Sequence, residues 1–153
     1  MPPLKRHPAL QPLSREHHEI LLAVWKLRQG LAAGVAPERM TMYVHHFAAH
    51  YLQPHVAKEK AVVDLLPSVE LAVQQYHIAV KEIEKNIAAV HRQPDTIKIE
   101  ELANLIYNTV RFEERELFAL IQSRLSKEQL QNIGATTAQL QCPLWPDEFW
   151  IQK

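Results

Sequence analysis

Proline placement is the strongest constraint on how this chain folds. Pro37, Pro67, Pro94, Pro143 and Pro146 all fall between stretches whose apolar residues recur at helical spacing, where a missing N–H is harmless. The stretches so marked off are long, and the chain has only 3 glycines to interrupt them. An all-α chain is expected.

The first helix is expected from about Ser14, a good N-cap, with Ile20, Leu21, Val24, Leu27 and Leu31 on one stripe before Gly30 and Gly34 loosen the chain. A second runs from about Glu38 to Leu65, kinked at Pro54, the one proline inside a helical pattern. A third opens after Pro67 with Ser68 as N-cap and repeats Val73, Val80, Ile83, Ile87 and Val90. The fourth follows Pro94 and Asp95 and buries Leu102, Leu105, Ile106, Phe112, Leu117 and Leu120. Ser126 with Gln129 reads as a capping box for a shorter fifth helix to about Leu140. Four long amphipathic helices on short linkers predict an up-down-up-down four-helix bundle over residues 14–125. Residues 1–13, with Pro2, Pro3, Pro8 and Pro12, read as an extended N-terminal arm, and residues 126–153 as the short helix and an aromatic C-terminal tail.

At 153 residues, 47% of them hydrophobic, the chain suits one domain with one core. Lys plus Arg equals Asp plus Glu at 17 each, so nothing in the charge points to nucleic acid or an anionic membrane surface. No apolar run is long enough for a bilayer or a signal core. Cys142 is the lone cysteine, which excludes an internal disulfide and fits a reducing cytoplasm. No hydrolytic triad, phosphate-binding glycine loop or dinucleotide fingerprint is present.

Histidine is the unusual count, at 9 residues. His55 and Glu59, four apart, share one helix face and can offer an imidazole and a carboxylate to one ion. Each of the other helices carries a candidate on its apolar side. On the first helix the choice lies between His17, aligned with Ile20, Leu21 and Val24, and His18, aligned with Leu22 and Trp25; adjacent helical residues diverge by about 100° and only one can face inward. His77 lies in register with Val73 and Val80, and is otherwise a core histidine. Glu113 sits between Phe112 and Leu117, where a carboxylate must be paired, protonated or metal-bound. Its bland alternative is a salt bridge to Arg111 or Arg115. His45, His46 and His50 are expected at the surface, although the spacing of His46 and His50 also suits an adventitious second metal.

Taken in order, Leu13 to His18, Leu52 to Glu59, Gln75 to His77 and Val110 to Phe118 resemble the hemerythrin-like family of HHE cation-binding domains, over about residues 10 to 125. The resemblance implies a four-helix bundle around non-haem iron, one or two ions, with His17 or His18, His55, Glu59, His77 and Glu113 as the ligand set. It also implies a histidine four residues before Glu113, where this chain has Thr109, a poor iron ligand beside imidazole. Lys60 stands where a second acid is common, and is expected either at the surface or neutralising a carboxylate.

Two functions are therefore expected. One is a non-haem iron protein, or one using another divalent metal, that binds or senses dioxygen, nitric oxide or peroxide. The other is a metal-free interaction module that keeps the bundle and has lost the site, as Thr109 would allow. In the tail, Trp145, Phe149 and Trp150 either pack along the bundle or form a homodimer contact. Redox sensing through Cys142 is a weaker third reading.

Overall fold

The computed structural model describes residues 5–136 and 138–152, and among them every regular element is helical. A 3-10 turn, Pro8–Leu10, leads into α1, Gln11–Ala32. The second long helical stretch comprises α2, Pro37–Phe47, a π-helical turn at Ala48–Leu52, and α3, Gln53–Val63. Next comes α4, Leu71–Arg92. The fourth stretch is α5, Thr96–Phe112, a second π turn at Glu113–Leu117, and α6, Phe118–Arg124. A short helix, α7, spans Lys127–Thr136. No helix among the described residues is long and apolar enough to cross a membrane.

The capping box expected at Ser126 is present, and Asp95 caps α5 as well. The Asp95 carboxylate accepts from the Ile97 and Lys98 amides, and Ser126 and Gln129 exchange side-chain and backbone bonds at the start of α7. Elsewhere the boundaries move. The first helix begins before Ser14, because Pro12 sits in its first turn, where a missing N–H is free, and Leu10 and Leu13 are buried. The supposed extended arm is thus helical from Pro8 onward; Pro2 and Pro3 lie outside the described residues. Ser68 does not cap α4, whose N-cap is Glu70 after a turn closed by the Pro67 carbonyl. The fifth helix ends at Thr136, short of Leu140.

Pro54 disturbs its helix in a specific way. A π turn, closed by the Gln53 amide on the Ala48 carbonyl, ends two residues before it, and the helix runs on into His55.

α1 packs on α5, α5 on α4, and α4 on α2. Two apolar clusters result. One gathers Ile20, Val24, Leu27, Val44, Phe47, Ile83 and Leu102; the other gathers Leu10, Leu13, Val62, Val63, Tyr76, Leu117 and Phe118. Three helical stretches pass from one cluster to the other through buried polar residues: Glu16 and His17 between Leu13 and Ile20, His55 and Glu59 between Leu52 and Val62, and Glu113 between Val110 and Leu117. The polar residues form a layer between two greasy ones.

The tail folds back on the core. Phe149 is buried against Tyr43 and Trp150, and Arg39 holds Asp147 through a forked pair at 3.0 and 2.6 Å. A Cβ on Gly30 would come within 2.7 Å of Met40 Sδ and 2.9 Å of Phe149 Cδ2, so the absence of a side chain there is what lets the tail seat.

Candidate metal centre

Four buried side chains converge in the polar layer. His17 Nε2 lies 3.0 Å from Glu59 Oε2 and 2.9 Å from Glu113 Oε2, and His55 Nε2 lies 3.1 Å from the same Glu59 oxygen. One donor atom from each of the four falls within 4.8 Å of all the others, and this is the single such group of three or more among the described residues. An ion bound at about 2.0–2.2 Å from nitrogen and oxygen holds its donors roughly 3–4 Å apart. The spacing fits a cation with small adjustments. The donor set, two imidazoles and two carboxylates, suits zinc, iron or manganese.

The outward nitrogens are equally organised. His17 Nδ1 faces Glu114 Oε2 at 2.9 Å, and His55 Nδ1 faces Glu16 Oε1 at 2.8 Å. Metal-binding histidines carry this carboxylate at the far nitrogen because it fixes the ring and directs the other lone pair inward. The outer acids are themselves held: Glu114 accepts from the Ser14 hydroxyl at 2.9 Å, and Glu16 from the Leu140 amide at 2.8 Å and from the Lys58 ammonium. Phe118 stacks on the His17 ring at 5.2 Å.

The charge balance of this layer is unusual. Both nitrogens of each imidazole face carboxylates, so with no cation present each ring must carry two protons. Burial opposes that, but the hydrogen bonds His17 donates to Glu113, Glu114 and Glu59 overcome it and hold His17 well above the usual histidine range. His55 is raised against the same burial by the charge of Glu59 and the bond to Glu16. Burial and the neighbouring Glu59 charge push Glu113 well up, whereas in Glu59 burial is overcome by the His55 charge together with hydrogen bonds to Glu113, His17 and His55, which hold it well below the usual carboxylate range.

The expected ligands thus divide. His17, His55, Glu59 and Glu113 come together, from α1, α3 and the π turn after α5. His18 is exposed, turned away as its neighbour turns in. His77 is outside the cluster, partly exposed and 3.9 Å from Asp64. At about 100° per residue, Tyr76 lies inside the arc of Val73, Val80, Ile83 and Val90, while His77 lies about 90° from its middle. The buried stripe, rather than the histidine, was the signal to follow on α4. Glu113 pairs with His17, and Arg111 and Arg115 are exposed. Thr109 is buried, but its hydroxyl donates to the Leu105 carbonyl at 2.7 Å and is no ligand.

Lys60 is exposed; the cation that neutralises an acid is Lys58. His45 and His50 are exposed as expected, and His46 packs on Trp145, with no third donor near enough to complete a second centre. Burial and Glu19 raise the Cys142 thiol, which disfavours a reactive thiolate. Sequence reasoning missed Glu16 and Glu114. Glu16 shares the stripe of Leu13, Ile20 and Leu27, so helical phase alone marks it as inward. In comparisons with family models, with curated proteins and with solved structures, nothing matches this chain.

Proposed function

We propose that this chain is a non-haem iron protein of hemerythrin-like design, in which one ion replaces the protons of the buried layer. The observation that carries this is the pair of imidazoles pinned outward by Glu114 and Glu16 while both Nε2 atoms meet Glu59 and Glu113. The order in which successive helices cross the two apolar clusters supports an up-down-up-down bundle. α1 passes from the Leu13 cluster to the Ile20 cluster, the second stretch returns, α4 passes again from Val73 to Ile83, and the fourth stretch returns to Leu117.

His17, His55, Glu59 and Glu113 would hold the ion, Glu16 and Glu114 would orient the two imidazoles, and the apolar layers on either side would keep bulk water away. Bound iron would supply an open coordination position for dioxygen, nitric oxide or peroxide, for binding or sensing in a cytoplasmic setting. Four converging donors, with Thr109 and His77 turned elsewhere, favour one ion over two. A stoichiometric iron content in protein purified from an iron-replete host is the expected result, with a spectral change when nitric oxide meets the ferrous protein. No stoichiometric metal after anaerobic iron loading would overturn the reading.

The competing reading is a metal-free interaction module. It is favoured by the way Glu114, Glu59 and Glu113 already occupy both nitrogens of His17, whose pKa they hold up, without any cation. Retention of the fold with no metal uptake in any condition would select it.

A further inference from the structure

A cavity of about 460 Å³ opens between α2, the end of α4 and the returning tail, and shares no residue with the four-donor group. Six buried side-chain atoms among the described residues have no hydrogen-bond partner there, and three of them, Thr41 Oγ1, His46 Nε2 and Trp145 Nε1, belong to residues that line this one cavity. Thr41 shows that its helix does not force the gap. Thr109 donates to the carbonyl four residues back, whereas Thr41 has the Pro37 carbonyl at the same spacing and makes no such bond. Buried polar atoms without partners are costly, so three in one concave place point to a ligand that satisfies them.

We propose that this cavity binds a small aromatic carboxylate that bears a hydroxyl group. At one end the His46 ring lies 4.9 Å from Trp145 and 4.5 Å from His50, and an indole N–H can only donate, so an anionic acceptor belongs there. At the other end Glu38, three residues before Thr41 on α2, turns an anion away and leaves the Thr41 hydroxyl for a neutral polar group. Between the ends, exposed Met42 and the His45 and His91 rings, stacked at 4.8 Å, offer flat walls to an aromatic ring. Thr41 and His46 are five residues apart, about 7.5 Å along the helix. That is roughly the span from carboxylate to para hydroxyl across one benzene ring.

The test titrates the full chain with 4-hydroxybenzoate, benzoate and 4-hydroxybenzamide, with a chelator present so that the outcome does not depend on the metal reading. Nitrogen–proton NMR follows the indole N–H signals, that of Trp145 being assigned by its loss in Trp145→Phe, and calorimetry gives the affinities. 4-Hydroxybenzoate should move the Trp145 signal downfield and leave that of Trp25, on α1, in place. Benzoate should bind about 2–10-fold less tightly, as one neutral hydrogen bond is lost, and the uncharged amide about 10-fold or more. Thr41→Val keeps the side-chain shape and should bind 4-hydroxybenzoate and benzoate equally, while Trp145→Phe should weaken both about 10-fold. A Trp145 signal that no probe moves would mean that water alone satisfies these atoms, and would overturn the proposal. An amide that binds as tightly as the acid, or a Thr41→Val protein that still prefers the hydroxylated probe, would overturn it as well.

Discussion

Glu114 illustrates how much of the proposed centre depends on residues that would never meet an ion. It is partly exposed, and its carboxylate reaches both the Ser14 hydroxyl and His17 Nδ1. Removing its charge leaves the four inner donors in place but frees the His17 ring to choose the other tautomer, which points a proton rather than a lone pair at the layer. Glu114→Gln is therefore expected to weaken metal binding by about 10–100-fold while stoichiometry and fold persist. Competition against a chromophoric chelator measures this; an unchanged affinity would mean the outer carboxylate is ornamental. The inner donors were legible in the sequence, because His55 with Glu59 and Glu113 beside Leu117 place charge on apolar stripes. The outer acids were not. A glutamate beside a histidine looks the same whether it faces a ring nitrogen or solvent, and only the neighbouring helix decides.

The helices themselves were legible from proline placement and from the capping box at Ser126, although Ser14 and Ser68 are not the caps they resemble. Of their two interruptions, the one beside Pro54 was marked by the proline, and the one at Glu113–Leu117 was not, because no proline or glycine accompanies it. The turn at Glu113–Leu117 adds a residue to the fourth helical stretch, letting Glu113 face the layer, Glu114 reach His17, and Leu117 return to the core. The tail was ambiguous for a related reason: an aromatic cluster announces burial without naming its partner. Here the partner is the gap above Gly30, which Phe149 fills beside Met40 and Tyr43. Phe149→Ala should cost about 3–5 kcal/mol by leaving that gap open, and lower the urea midpoint without abolishing helicity. Gly30→Ala should act on the same contact, so the double variant should lose less than the sum of the two. Additive losses would argue that the tail and α1 are not coupled.

For the whole molecule, the buried layer sets how stability responds to pH. In the metal-free protein, His17 and His55 have raised pKa values, so their contribution is complete below the ordinary 6.5 and lost as pH climbs through the raised values. Glu113, also raised, contributes below its ordinary 4.5 and is lost in the same upward direction. Glu59, Glu16 and Glu114 are lowered, so they contribute above 4.5 and are lost as pH falls through the lowered values. Metal-free protein should thus be most stable between about 4.5 and 6.5, and should weaken as pH rises from there toward 8.5. A bound cation takes over the neutralising role of these protons and displaces them, so its binding strengthens as they become easier to remove. Zn(II), which is redox-silent, is a suitable probe; at one hundred times its Kd it should stabilise by about 2.7 kcal/mol. Thermal melts with Zn(II) or with a chelator, across pH 5.5 to 8.5, should show the metal-induced rise in Tm growing with pH and the alkaline decline of the metal-free protein disappearing. A rise that is largest at pH 5.5, or metal-free protein that gains stability toward pH 8.5, would show that the layer does not exchange protons for a cation. Since the same four side chains govern both curves, Glu113→Gln should flatten the metal-free pH profile and reduce the metal-induced rise together.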